Sequence, residues 1–157
     1  LVKAILIHSA QYINYRYKHP SSQPPADNEQ GWGRVNLATV LNPSAPTKIQ
    51  FIDESQGLST GEEQEYQIQV TEATVPLKVT LVYSDYPGGH LQNNLNLTLL
   101  NPQGEQISNH DNLNNVEVII FPNPEPGTWT VKVTAADINL VAEEQDYALV
   151  ISGAING

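Results

Sequence analysis

A mainly β fold is what this sequence predicts: an antiparallel β-sandwich or jelly roll of about eight strands behind a short helical N-terminal part. Three observations carry the prediction. Between Lys48 and Ile151, apolar and polar residues alternate with period two in eight short runs. Turn signals rich in Gly, Pro and Asn separate those runs. Ahead of them, residues 1–18 carry the spacing of a helix with one buried stripe.

In LVKAILIHSAQYINYRYK, apolar or small side chains fall at Val2, Ile5, Leu6, Ser9, Ala10, Ile13 and Tyr17. Pro20 disfavours helix at the residue before it, so the helix is expected to end near Lys18 or His19. No N-cap signal precedes it, and a chain that opens on Leu1 and holds no Met reads as part of a longer one. The polar stretch SSQPPADNEQ is expected as loop. Gly31-Trp32-Gly33 then leads into Arg34–Leu41, expected as one or two helical turns ending at Asn42-Pro43. The two glycines let the backbone turn tightly beside a large ring, and Trp32 is expected as an anchor against the preceding helix or at the seam between two parts.

The expected strands are Lys48–Asp53, Tyr66–Val70, Leu77–Tyr83, Leu95–Leu99, Glu105–Ser108, Val116–Phe121, Trp129–Val133 and Tyr147–Ile151. Leu77, Val79, Leu81 and Tyr83 are expected to face the core, with Lys78 and Thr80 facing out. Trp129, Val131 and Val133 repeat that pattern against Thr130 and Lys132. The change of register places a boundary at residues 43–46.

Composition excludes several functions. The formal net charge is −10, from 17 Asp and Glu against seven Lys and Arg. This argues against nucleic acid, whose affinity comes from neutralised phosphates, and against an anionic membrane surface. No apolar run approaches the ~20 residues of a membrane span. The absence of Cys removes disulfides, thiolate zinc sites and a Cys nucleophile. The four histidines show no i, i+4 pair of the zinc-protease kind, and no Gly-x-Ser-x-Gly elbow accompanies His110-Asp111. Asn96-Leu97-Thr98 is formally a glycosylation sequon, but it lies inside an expected strand.

What remains is rich in hard oxygens. Asp85 ends a strand in YSDYPGG; Asn94 and Asn96 share one strand face in QNNLNL; Asp111 and Glu117 lie in HDNLNNVEV. Calcium takes six to eight such oxygens, although Asn and Asp also populate turns for local backbone hydrogen bonds.

Five stretches follow one another in a telling order: LVKAILIHSA, NEQGWGRVNLATVL, VTLVYSDYPGG, NNLNLTLLNPQG, and NNVEVIIFPNPEPGTWTVKVTA with QDYALVISG. The order resembles the C-terminal part of a subtilisin-like serine protease carrying an appended β-sandwich. The first two resemble the end of the catalytic domain, its late helix and its closing motif; the other three are similar to signatures of the appended domain. The resemblance implies that residues 1–43 are the tail of a catalytic domain and 44–157 a jelly-roll accessory domain. It places the catalytic Asp, His and Ser upstream of Leu1, so these residues are not themselves a protease. It further implies a secreted parent endopeptidase, stabilised by this domain and helped by it in positioning protein substrates. The partners would be the parent's own catalytic domain and those substrates, with no nucleic acid and no membrane.

Some relatives of that kind bind calcium in the appended domain, which makes Asp85, Asn94, Asn96, Asp111 and Glu117 the metal candidates. Where the pattern reads Asn-Asp-Leu-Asp-Leu, this chain has Asn93-Asn94-Leu95-Asn96-Leu97, two carboxylates fewer, and affinity for calcium falls with ligand charge. Tyr83 stands where the pattern has Trp. Two other readings are an extracellular carbohydrate- or surface-binding β-sandwich and the P-type domain of a proprotein-convertase-like protease.

Overall fold

The computed structural model describes residues 1–13, 26, 30–139 and 143–156. The chain opens with helix α1 (Val2–Ser9), strand β1 (Ala10–Gln11), strand β2 (Arg34–Val35) and helix α2 (Ala38–Leu41). Eight longer strands follow: β3 (Lys48–Leu58), β4 (Glu63–Val70), β5 (Leu77–Tyr83), β6 (Asn94–Leu100), β7 (Gln106–Asn109), β8 (Val116–Phe121), β9 (Gly127–Asp137) and β10 (Gln145–Gly153). All eight alternating runs are therefore strands, β5 and β8 with the expected bounds. The fold is mainly β, as the alternation requires. No helix among the described residues is long and apolar enough to cross a membrane.

The strands form two antiparallel four-stranded sheets, β3-β10-β5-β8 and β4-β9-β6-β7. Counted along the sandwich, the orders are 1-8-3-6 and 2-7-4-5, the interleaving of a jelly roll. Between the sheets lie Leu77, Val79, Leu81 and Tyr83 of β5, Leu95, Leu97 and Leu99 of β6, Trp129, Val131 and Val133 of β9, and Leu149 and Ile151 of β10. Trp129 is completely buried, its indole N–H donates to the Glu125 carbonyl at 2.9 Å, and the Phe121 ring lies 5.0 Å away at 56°. The ring thus has both its apolar body and its polar tip satisfied.

Three expectations need correcting. The first helix does not run to Lys18: it stops at Ser9, and Ala10 takes extended geometry. Ala10 and Gln11 pair with Val35 and Arg34 instead, and the Ser9 carbonyl accepts from the Asn36 N–H. A tertiary ladder has overridden a helical pattern, with the Ser9 hydroxyl already bonded back to the Leu6 carbonyl. Tyr17, Lys18 and His19 lie outside the described residues. The expected stripe is also turned. Ala4, His8 and Ser9 are buried, whereas Val2 is 73% exposed and Leu6 faces outward.

Next, Arg34–Leu41 is a strand followed by one helical turn rather than helix throughout. Gly33 allows the crossing of β2 over β1: its φ is +96°, and a side chain there would overlap the Gln11 carbonyl.

Last, Lys78 and Thr80 do not face solvent. Their side of the first sheet also carries Val82, Val116, Val118, Ala148 and Val150, a second apolar cluster that α1 covers with Ala4, Ile5 and Ile7. Thr80 is fully buried beneath it.

Truncating Trp129 to Ala should cost about 3–5 kcal/mol, as large core aromatics do. The same change at Leu113, which is 84% exposed, should stay within about 0.5 kcal/mol. Urea unfolding of both variants checks the contrast.

Candidate functional site

Two places concentrate polar chemistry: the seam beneath α1, and the loops at one end of the sandwich.

At the seam, β5 and β10 pair so that Thr80 and Ser152 point from neighbouring strands toward α1. His8 descends between them. Its Nδ1 lies 2.9 Å from the Thr80 hydroxyl and its Nε2 2.8 Å from the Ser152 hydroxyl. The Lys78 ammonium donates to the His8 carbonyl at 2.7 Å. Burial pushes the imidazole pKa down to about 3, and the neighbouring Lys78 charge adds to the effect. His8 is therefore a neutral ring clamped between two hydroxyls, joining helix to sheet. Trp32 packs half-buried against the same apolar cluster, in the anchoring role expected of it. In the sequence His8 is one of four histidines with no metal-ligand spacing. Its two partners lie 72 and 144 residues away, and no local signal connects them.

The other side of this N-terminal segment is apolar and uncovered. Val2 and Leu6, one helical turn apart on α1, are exposed, as are Val35, Leu37 and Leu41, the last at 67%.

At the loop end, of the five metal candidates only Asp111 and Glu117 are joined directly by a hydrogen bond. Asp85 follows β5 and accepts from the backbone N–H groups of Gln92 and Asn93, each at 2.9 Å. Asn94 opens β6 and donates to the Asn112 side chain at 2.9 Å. Asp111 closes its own turn, accepting from the N–H of Leu113 at 2.8 Å and of Asn114 at 3.1 Å. Glu117 points inward from β8 and is fully buried. One of its oxygens accepts from the Asp111 N–H at 2.8 Å and the other from the Leu97 N–H on the opposite sheet. Burial raises the Glu117 pKa to about 8, against the pull of those two N–H bonds.

Each carboxylate thus already braces backbone, and among the described residues no three His, Asp or Glu side chains converge as a metal group would. Two oxygens stand apart. Asn94 Oδ1 and Asn96 Oδ1 are buried with no hydrogen-bond donor. Hard amide oxygens lacking a hydrogen-bond donor are ligands of the chemistry that suits calcium. His90 and His110 are exposed and outside this network.

The family model of the bacterial pre-peptidase C-terminal domain matches residues 62–135, just under half of the chain and the run from β4 into β9. This is a likeness to a protease-associated C-terminal domain. A Dictyostelium discoideum protein described as serine protease/ABC transporter B family protein tagA is 28% identical over 180 positions, taking in 96% of this chain. The chain spans 10% of that relative's length. Among solved structures, a Bacillus licheniformis lipase in its propeptide form is similar with a TM-score of 0.44 and 14% identity, over 68% of this chain and 21% of that one. A family two carbohydrate esterase from Cellvibrio japonicus is similar with a TM-score of 0.40 and 13% identity, over 69% and 35%. Both scores are too low to carry anything over to this chain.

The His8 clamp has a pH signature. The imidazole's folded pKa of about 3 lies below its ordinary 6.5, so on acidification the unfolded chain takes the proton first. The stability contributed by the neutral ring is whole above pH 6.5 and drains away as pH falls toward 3, at up to about 1.4 kcal/mol per pH unit. His8→Gln, which does not titrate, should flatten the acid limb. Urea midpoints of parent and variant between those pH values test this; parallel limbs would show that His8 contributes nothing to acid sensitivity.

Proposed function

We propose that this chain is the C-terminal part of a secreted subtilisin-like serine endopeptidase. Residues 1–43 finish its catalytic domain, and residues 44–157 form a non-catalytic accessory domain that stabilises it and helps position protein substrates. The observation that carries this reading is the two-sided N-terminal segment. One side of α1 is fixed on the sandwich through Ala4, Ile5, Ile7 and His8, while the other exposes Val2 and Leu6. A helix of eight residues is too short to persist alone. Held by the sheet, it presents an apolar surface continuous in chain with whatever precedes Leu1, and a catalytic domain seated there gains an edge that cannot fray independently. Slower unfolding outside the cell is the benefit expected of such bracing. The match to a protease-associated C-terminal domain and the serine-protease description of the Dictyostelium relative support the same reading. Among the described residues, exposed aromatics give carbohydrate binding little to work with: Phe51 on β3 and Tyr86 in the loop after β5 do not form a row on one sheet.

A comparison of contexts tests the proposal. Val2→Ser with Leu6→Ser should change the stability of the isolated chain by less than about 1 kcal/mol, since both side chains are exposed there. In the full-length protein the pair should shorten the thermal half-life of peptidase activity several-fold. Equal half-lives for parent and variant would remove the docking role, and a full-length sequence lacking a Gly-Thr-Ser nucleophile motif upstream would remove the protease.

A second proposal is that the loop end takes calcium, with Asn94, Asn96, Asp111 and Glu117 as ligands and Asp85 bracing or joining them. The orphaned Asn94 and Asn96 oxygens favour it. The ion would supply the donor-seeking oxygens with a positive partner and tie the loop after β7 to the start of β6. At a hundredfold excess over its dissociation constant, a bound ion adds about 2.7 kcal/mol. The thermal midpoint should therefore rise when calcium replaces chelator, and a midpoint that does not move would mean that these residues hold no ion.

A further inference from the structure

A cavity of about 510 Å³ opens between the N-terminal segment and the flank of the first sheet. Residues 8–11, 38–40 and 42–44 form one wall, and Val75, Pro76, Lys78 and Ile120 the other. That volume is within the range of roughly 300–1,000 Å³ usual for small-molecule sites. Its lining holds prolines, aliphatic side chains and hydroxyls, and no Asp or Glu among the described residues.

Among the described residues, Lys78 is the one cationic side chain that lines it. By register it sits between Ser152 of β10 and Ile120 of β8, so neither cross-strand neighbour offers it a carboxylate. Its hydrogen bond goes to the His8 carbonyl, a neutral acceptor, which leaves further ammonium donors unused. This is unexpected in a chain with 17 acidic residues against seven basic ones, where Lys132 has found Glu63 at 3.3 Å even on the surface. Burial pulls the Lys78 amine down to about 8, the mark of an ammonium stripped of water and not repaid by an anion.

We infer that this cavity is a binding site for a carboxylate carried on a small apolar body. The Lys78 ammonium takes the charge, and Val40, Pro43, Pro76 and Ile120 enclose the body. The C-terminal residue of a peptide has this chemistry, as does an acidic side chain on a neighbouring segment. Apolar walls disfavour a fully hydrated inorganic anion, and the single cation suits one negative charge better than two. The inference rests on the cavity alone and stands or falls separately from the protease reading.

The test follows the Lys78 Nζ resonance in protein labelled with ¹⁵N-lysine, assigned by its loss in Lys78→Arg, which keeps the charge; an otherwise unchanged amide spectrum checks that the variant is folded. N-acetyl-alanine, its uncharged methylamide and inorganic phosphate are titrated separately. N-acetyl-alanine should shift the resonance saturably, with a dissociation constant on the order of 1 mM. It should raise the Lys78 pKa by about one unit, as an adjacent opposite charge does. The methylamide and phosphate should leave it unmoved. No saturation with N-acetyl-alanine, or an equal response to the methylamide or to phosphate, would overturn the assignment. Repeating the titration in the full-length parent identifies the source. A Lys78 that responds in both proteins assigns the site to a free carboxylate. A Lys78 that responds in the 157-residue chain but is already at its ordinary value in the parent assigns the carboxylate to the protein's own upstream segment.

Discussion

The first sheet is apolar on both faces, and most of the molecule's organisation follows from that constraint. Antiparallel sheets commonly keep one face for solvent. Here β5 and β10 carry Leu77, Val79, Leu81, Leu149 and Ile151 inward and Val82, Ala148 and Val150 outward. The outward set needs a cover, and α1 with Trp32 is that cover. At roughly 25 cal/mol per Å² of apolar surface, burying a face of this kind outweighs anything an eight-residue helix gains from its own hydrogen bonds. The second sheet shows the contrast. Its outer face carries Gln67, Thr128, Thr130 and Lys132, tied by exposed hydrogen bonds and needing no cover.

Polar groups inside this apolar seam are few and each is paired. His8, Thr80 and Ser152 form one chain of hydrogen bonds, which fixes where along the sheet the helix sits. Apolar contacts alone would tolerate sliding; two hydroxyls at fixed register positions do not. Glu117 does comparable work at the other layer. By bonding the Asp111 N–H of its own loop and the Leu97 N–H of the facing sheet, it ties the two sheets where β7 ends. The two groups oppose each other in pH. Acid acts against the buried neutral imidazole, while rising pH acts against a carboxyl whose pKa burial raises to about 8.

The strands were legible in the sequence because a half-buried strand writes its burial into every second residue. Leu77 to Tyr83 and Val116 to Phe121 are strands over the very residues that alternate. The remainder was legible only where the chain speaks locally. The helical stripe through Val2, Leu6 and Ser9 marks a helix, but not which side meets the sandwich, since both sides carry apolar residues. Its end at Ser9 depends on Arg34 and Val35, which no window around residue 10 contains. Lys78 and Thr80 look like solvent-facing positions until α1 is laid over them. At the loop end, Asp85, Asn94, Asn96, Asp111 and Glu117 were recognisable as an oxygen-rich set. Composition could not reveal that three of them accept from backbone while Asn94 and Asn96 each keep an oxygen without a donor.

The two-residue ladder between β1 and β2 is small, yet it constrains the path of the chain around it. Ala10 faces Val35 and Gln11 faces Arg34, so the chain leaves the seam and returns to it at adjoining points. The two ends of the connection between β1 and β2 are thereby held side by side. The ladder can hold those ends over a range of connection lengths, because closing a loop costs only about 0.6 kcal/mol more for each doubling of its length. The connection could grow into a separate arm, or shrink to a tight turn, while the helix and the jelly roll kept their places.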